Sequence, residues 1–282
     1  MVSDPVRLAD DLVYDVGLHR GEDSAFYLAK GYRVVAFEAN PELVASCRSR
    51  FATEIAGGRL TIIEGAISAS TAATVRFYEH PNSVWGTTDE KWVARNLVLG
   101  GSRPVDVPVV DFAEAIRRTG MPSFIKTDIE GADRLCLEAL LTFHQRPRWL
   151  SIEASKDWAG LETEFSLLEQ LGYDRFAIIQ QAGIPGSEVR TRTVDGRPLT
   201  FTFEPDASGM FGRDVGPWIG RAEAMAKYKR VVLAHRLLGD DSLLRKTKLG
   251  RGLRGRAAKY LRRPLPGWFD THAARSTDLT NR

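Results

Sequence analysis

The chain of 282 residues is 43% hydrophobic and 27% charged, with a net charge of +3. That is enough apolar material for one large domain, or one domain plus an extension. No apolar run approaches the roughly 18 residues that cross a bilayer, and the two cysteines, Cys47 and Cys136, exclude a disulfide framework or a metal site built on cysteine spacing. The first residues hold no basic-then-apolar leader, so the expected compartment is a reducing cytoplasm.

Residues 11–16 read as a short buried strand. Gly17 and Gly21 corner the turn that follows, and a helix is predicted over 22–30, opening at Glu22-Asp23-Ser24. A second strand, 33–38, ends on Glu38. Strand, glycine turn, helix, strand and terminal acid make a nucleotide-binding βαβ half. Glycine lets the backbone pass close to a ligand where a Cβ would collide, and an acid in that place accepts both hydroxyls of a ribose. The turn reads D-x-G-x-x-x-G from Asp15, not G-x-G-x-x-G. Glu22 and Asp23 in the first helical turn complement the helix dipole but repel the pyrophosphate of a dinucleotide. A ribose ligand without phosphate fits better. S-adenosylmethionine is one, and its sulfonium and ammonium groups suit carboxylates such as Asp15. The plain alternative is an ordinary βα turn of another α/β fold.

Further along, elements alternate. A helix over 41–52 opens at Asn40-Pro41, and 60–67 is a third strand. Residues 74–78 and 105–109 are extended pieces flanking an irregular segment, followed by a helix at 111–119. Then come a strand at 123–128, a helix at 132–143 and a strand at 149–153. The helix over 160–171 stops at Gly172, a C′ glycine. Residues 176–180 form another strand. Residues 199–203 look like the last, antiparallel because it follows a hairpin-like excursion. Strands separated by helices of about ten residues argue a doubly wound, parallel α/β sheet. The run Phe124 to Asp133 lies at the carboxyl end of a strand expected beside the first, the switch point where ligands bind. Lys126, Asp128 and Glu130 alternate there; an ion pair on the surface, worth little, is the plain alternative.

With both motifs in hand, the chain resembles the FkbM family of S-adenosylmethionine-dependent methyltransferases. The resemblance is carried by Tyr14-Asp15-Val16-Gly17 with Gly21, by Phe37-Glu38-Ala39-Asn40-Pro41, by Gly65-Ala66-Ile67-Ser68, and most specifically by Ile125 to Ala132, similar to the family's K-x-D-x-E-G. It spans roughly residues 10–205. It implies a class I methyltransferase fold, a mostly parallel seven-stranded sheet, and O-methylation of a hydroxyl, often on a sugar or natural product. Position by position, it implies that Asp15, Gly17 and Gly21 surround the methionine part of the cofactor, that Glu38 holds the ribose, that Ala66 and Ile67 border the adenine, and that Asp128 faces the sulfonium. Asp128 and Glu130 are the candidate bases, with Lys126 holding substrate or tuning them. The segment 82–88 departs from the serine-rich turn expected there, with Thr87 and Thr88 as stand-ins.

Glu153 ends the strand after that of Asp128, so Asp128, Glu130 and Glu153 are expected at neighbouring strand ends. Such oxygen ligands suit Mg²⁺, but hydroxyl binding or pairing with Lys126 accounts for them as well, and no metal site is assigned. Of the histidines, His80 falls in the irregular segment, within reach of substrate, and His235 on an apolar helical face. His272, in Trp268-Phe269-Asp270-Thr271-His272, belongs to a docking tail or folds back over the site as a base. From Lys227 to Arg263 there are thirteen Lys and Arg against two Asp, a net of +11, so the rest of the chain is acidic. Residues 1–215 are expected to form the methyltransferase domain and 216–282 a basic extension. The extension is a solvated tail or a surface for an anionic membrane or acidic glycolipid; no nucleic-acid module accompanies it. The expected activity is O-methyl transfer to a saccharide or glycoconjugate. The alternatives are a natural-product small-molecule acceptor and a non-catalytic adaptor with a basic tail.

Overall fold

The computed structural model describes residues 6–79, 86–88, 101–129, 131–238 and 268–280, with side chains to residue 233 in the last long helix. His80, Glu130, the His235 side chain and most of the basic segment lie outside the described residues.

The chain begins with β1 (Leu8–Val16), α1 (Glu22–Ala29), β2 (Arg33–Glu38), α2 (Pro41–Arg50), α3 (Ala52–Ala56) and β3 (Leu60–Glu64). β4 (Ala66–Ile67), β5 (Thr74–Glu79) and β6 (Arg103–Val110) follow, then α4 (Phe112–Thr119), β7 (Met121–Thr127), α5 (Asp133–Leu140), β8 (Trp149–Glu153), α6 (Trp158–Gln170) and β9 (Arg175–Gln180). β10 (Glu188–Arg192), β11 (Pro198–Thr202), α7 (Arg221–Leu238), β12 (Phe269–Ala274) and α8 (Ser276–Thr280) complete it.

Local chemistry sets many of these boundaries. Asn40 caps α2 by accepting from the Glu42 and Leu43 amides, with Pro41 at N1. Gly172 ends α6 at positive φ; its amide bonds to the Glu169 carbonyl while Tyr173 bonds back to Leu168, a Schellman closure.

The main sheet has seven strands in the order β3-β2-β1-β7-β8-β12-β9. All run parallel except β12, which is antiparallel to both β8 and β9. One face is buried under α4, α5, α6 and α7 through Tyr14, Ile125, Leu150, Ile152 and Ala273. The other packs Val13, Val34, Phe124, Trp149 and Ala274 against Phe26 and Tyr27 of α1 and against Phe203 and Phe211. This is the doubly wound sheet the helix–strand alternation predicts, in the strand order of a class I methyltransferase.

Three expectations are corrected. The third strand does not run from 60 to 67. It breaks at Gly65, whose φ is +137° and where a Cβ would lie 2.5 Å from the Pro108 carbonyl, and Ala66-Ile67 pair instead with Val109-Val110 in a separate small sheet with β5. Residues 199–203 do not close the main sheet. β11 pairs only with β10, as a two-stranded hairpin. The closing strand is β12, so a catalytic body ending at residue 215 is corrected too: residues 269–274 are an interior strand, hydrogen-bonded on both edges. Asp270, Thr271, His272 and Ala273 are all buried, so three polar side chains are carried into the interior of the sheet, which is why this stretch does not read as a core strand.

Candidate active site

Strand order reverses between β1 and β7, because β2 and β3 lie on one side of β1 and β7, β8 and β12 on the other. The crevice at their carboxyl ends is where an open α/β sheet takes its ligand. Side chains on the α1 face rise towards it in rows, because alternate residues share a face. The lowest row is apolar, with Val13, Phe124, Trp149 and Ala274. The next, in register across the sheet, is Ala36, Asp15, Lys126, Ser151, His272 and Ala177. Two residues further come Glu38, Gly17, Asp128 and Glu153, with Asp270 opposite Glu153. The sheet thus turns from hydrocarbon to ion network to carboxylates over four residues.

Lys126 is the centre of the middle row. Its buried ammonium lies 3.1 Å from Asp23, 3.6 Å from Asp128 and 3.9 Å from Asp15. Burial alone would lower its pKa, but the carboxylates, Asp23 foremost, outweigh burial and hold it well above the ordinary lysine value. Asp15 is fully buried; Ser24 Oγ donates to its Oδ2 at 2.6 Å, while Oδ1 has no hydrogen-bond partner among the described residues. Burial pushes Asp15 up to about 7 against the pull of Lys126. Asp128 has its side chain 41% exposed.

Glu38 is aimed by backbone. The His19 amide donates to its Oε2 and the Asn40 amide to its Oε1, each at 2.8 Å. His19 adopts φ +52° to do this, which glycine would adopt more cheaply. Each carboxylate oxygen keeps a further lone pair, so the Glu38 carboxylate is fixed with both oxygens able to accept. Gly17 has φ +96° and no room: a Cβ would lie 2.0 Å from the Asp128 carbonyl oxygen. Gly21 starts α1 at φ +86°, where a Cβ would meet the Phe51 ring at 2.3 Å.

The family model for the methyltransferase FkbM domain matches residues 15–175. The chain belongs to the FkbM family, whose members are S-adenosylmethionine-dependent methyltransferases. The FkbM segment runs from the last two residues of β1 to the start of β9 and therefore holds Asp15, Gly17, Glu38, Lys126 and Asp128, but not Asp270 or His272. Among solved structures, methyltransferase FkbM from Methylobacillus flagellatus is 20% identical over 62% of this chain and 41% of its own, with a TM-score of 0.37. Precorrin-6y C5,15-methyltransferase from Geobacter metallireducens is 15% identical over 70% of this chain and 78% of its own, with a TM-score of 0.34. An O-methyltransferase from Bacillus cereus, in complex with SAH, is 15% identical over 67% and 72%, with a TM-score of 0.35. The fold assignment stands on the strand order itself. No curated protein matches the chain.

The FkbM site gathers Asp15, Lys126 and Asp128 into one network and sets Glu38 at the same end of the sheet. Other expected roles change. Gly21 is required by the Phe51 ring it packs against, and Gly17 by the strand beside it. Lys126 is buried and held by three carboxylates. Ala66 and Ile67 start two residues beyond Glu64, the register partner of Glu38, with both side chains buried. His272 is no lid. It lies in the interior of β12, Nε2 at 3.5 Å from Ser151 Oγ, and burial lowers its pKa to about 4, which makes it a poor base. Thr87 is buried in a bridge to Tyr78, with no serine-rich turn described around it.

Asp23, Glu153 and Asp270 are members of the site that sequence reading missed or used otherwise. Asp23 reads as a helix-dipole acid, yet its Oδ2 faces Lys126 and its Oδ1 accepts the Ser208 amide at 2.7 Å. Burial pushes Glu153 up to about 7, against an opposing pull from Lys156 at 3.4 Å. Burial raises Asp270 well above the usual carboxylate range. Among the described residues, the acidic group converging tightly enough to suit a cation is His19, Glu22 and Asp206, and it does not include Asp128 or Glu153.

Proposed function

We propose that the chain transfers a methyl group from S-adenosylmethionine to a hydroxyl of a saccharide or glycoconjugate. The observation that carries this reading is the Glu38 carboxylate, oriented by two amides at the end of β2 beside a crevice lined with carboxylates. A diol-accepting acid and an excess of negative charge fit a ribose joined to a cationic sulfonium and ammonium. They do not fit a pyrophosphate.

When bound, S-adenosylmethionine supplies a methyl group made electrophilic by its sulfonium. Glu38 holds the ribose through both carboxylate oxygens. Asp15 and Asp128, balanced by Lys126, favour positive charge at the crevice. The chain's main contribution is alignment of acceptor oxygen and methyl, which can supply several kcal/mol. Glu153 accepts the acceptor's hydroxyl proton. A base with pKa about 7 is matched to neutral conditions, whereas Asp128 shares the Lys126 ammonium. The acceptor is a small molecule or glycan reaching the carboxyl ends of β7 and β8. The basic segment 227–263 would recruit it from an anionic surface, and the compartment proposed is the cytoplasm. Among the described residues no helix is long and apolar enough to cross a membrane.

The test is calorimetry with S-adenosylmethionine, then a radiolabelled methyl-transfer screen of acceptors. Glu38→Ala should weaken cofactor binding by about 1–3 kcal/mol, the cost of leaving hydroxyls unpaired. Equal affinity in both proteins would remove Glu38 from the site, and preferential binding of a dinucleotide would overturn the donor assignment.

A further inference from the structure

The half of the sheet beyond β8 holds polar groups that cofactor binding does not use. Gln181 follows β9 directly. Its amide donates to the Trp268 carbonyl at 3.0 Å, two register steps beyond the Asp270–Ile179 pair. It is 2% exposed, and neither its Oε1 nor its Nε2 has a hydrogen-bond partner among the described residues. A buried side-chain amide left wholly unpaired is costly and rare enough to require an explanation. A ligand that completes its bonds is one.

At the same end of the sheet, Glu153 and Asp270 stand directly opposite one another on the antiparallel strands β8 and β12, which places their Cβ atoms about 5 Å apart on one face. Asp270 is 4% exposed, and Ser151 Oγ donates to it at 3.4 Å. The charges around this pair come from every neighbouring element. β7 contributes Lys126 and Asp128, α1 contributes Asp23, α5 contributes Asp133, the turn after β8 contributes Lys156, and α6 contributes Glu164. Acids outnumber bases. The buried cation, Lys126, is already held by three carboxylates, and Lys156 stands half-exposed at the rim.

We propose that Glu153, Asp270 and Gln181 form the wall of the acceptor subsite, and that this wall selects a neutral, hydroxyl-rich acceptor over an anionic one. The inference rests on the methyl-transfer reading above. Carboxylates accept hydrogen bonds from hydroxyls, and an amide both donates and accepts, matching the two-way character of a hydroxyl. A carboxylate or phosphate on the acceptor would meet Asp128 and ionised Glu153 with no free buried cation to balance it, while Asp270, which burial holds towards its neutral form, supplies no compensating positive charge; like charges brought together at a desolvated site are costly. Asp270 and Gln181 both lie outside the segment matched by the family model, whereas Glu153 lies inside it.

Saturation-transfer NMR in the presence of S-adenosylhomocysteine tests it, with glucose, methyl glucoside and inositol as neutral probes and glucuronate and glucose 6-phosphate as anionic ones. Transfer to at least one neutral probe and none to the anions is expected. Gln181→Ala should weaken that binding about tenfold, the loss of one net hydrogen bond, and Glu153→Gln should weaken it as well. Asp270 is buried, so Asp270→Asn is interpreted only if its melting curve matches the wild type; the other two variants stand without it. Calorimetric affinity for S-adenosylmethionine should be unchanged in Gln181→Ala. If the wild type does not bind S-adenosylmethionine, the donor reading fails first. If it binds the donor but no neutral probe gives transfer, or the anions bind equally, or both Gln181→Ala and Glu153→Gln leave transfer unchanged, the acceptor wall is overturned.

Discussion

Burial decides the behaviour of single acids in this protein. Glu164, on α6, accepts from the Ser155 amide at 3.2 Å and from the Ser155 hydroxyl. Those bonds lower its pKa, yet burial dominates and pushes it up to about 7. The sign of the consequence follows. Between about pH 4.5 and 7 the folded state binds more protons than the unfolded one, so stability is greatest below that window and falls as pH rises through it. Glu164→Gln keeps an acceptor for the Ser155 amide and offers a donor to the hydroxyl, while removing the ionisation. It should therefore raise the melting temperature at pH 8 and do little at pH 5. The full effect is bounded at about 3 kcal/mol, because each tenfold change in proton affinity is worth about 1.4 kcal/mol. Melting curves at the two pH values check it; equal shifts at both would show that Glu164 does not titrate in this range. Asp15 and Glu153, also near 7, add to the same slope, which a bound cation should reduce.

At the scale of elements, the tightest constraint is the approach of the β1 turn to the end of β7. Gly17 bonds through its amide to the Phe37 carbonyl at 3.1 Å, and the Asp128 amide bonds to Val16. The two loops are thus stitched together where a side chain would meet the Asp128 carbonyl. Gly17→Ala should cost about 2 kcal/mol or more, combining an unfavourable positive φ with the clash, and should displace Asp128 from Lys126. Chemical denaturation gives the first quantity and cofactor calorimetry the second; a variant with wild-type stability would show that the turn relaxes freely.

The same scale shows how much the sequence discloses. The first βαβ unit, Asn40-Pro41, Gly172 and the Lys126–Asp128 strand end are all readable, because each is local: a cap, a positive-φ glycine, a hydrophobic run ending in charge. What is not readable is non-local. Nothing near Gly65 says that Pro108 will press against it and divide the strand. Lys126 reads equally as a substrate contact or a charge that tunes its neighbours, because Asp23, 103 residues earlier in the chain, cannot be seen to face it. The acids reach one another only after the sheet is ordered, and the partner of Glu153 arrives from a segment 117 residues later.

For the whole molecule, the C-terminal segment is structural before it is anything else. β12 supplies Asp270 to the site, Thr271 to the buried Tyr228 hydroxyl at 2.6 Å, and Ala273 and Ala274 to the two faces of the core. Deleting residues 240–282 should therefore unfold the catalytic body. Lost cooperativity in a thermal melt and lost cofactor binding are expected together. A folded truncated protein would show that β8 and β9 can close on each other. Whether the basic stretch recruits an acceptor is tested instead by neutralising its lysines and arginines while keeping 268–282.

Because β12 enters between two strands made roughly a hundred residues earlier, synthesis on the ribosome leaves the sheet unfinished until residues 269–274 have been made. When β9 emerges, it cannot yet take its place beside β12; a slot two strand spacings from β8, about 9.6 Å, has to wait for residues 269–274. Until then both flanking strands present open edges, the feature by which partly made sheets join one another, and the late, long-range pairing makes closure slow. A nascent chain in which β9 has emerged and β12 has not is thus the state most in need of a chaperone, and the entry of β12 is the event that completes the sheet.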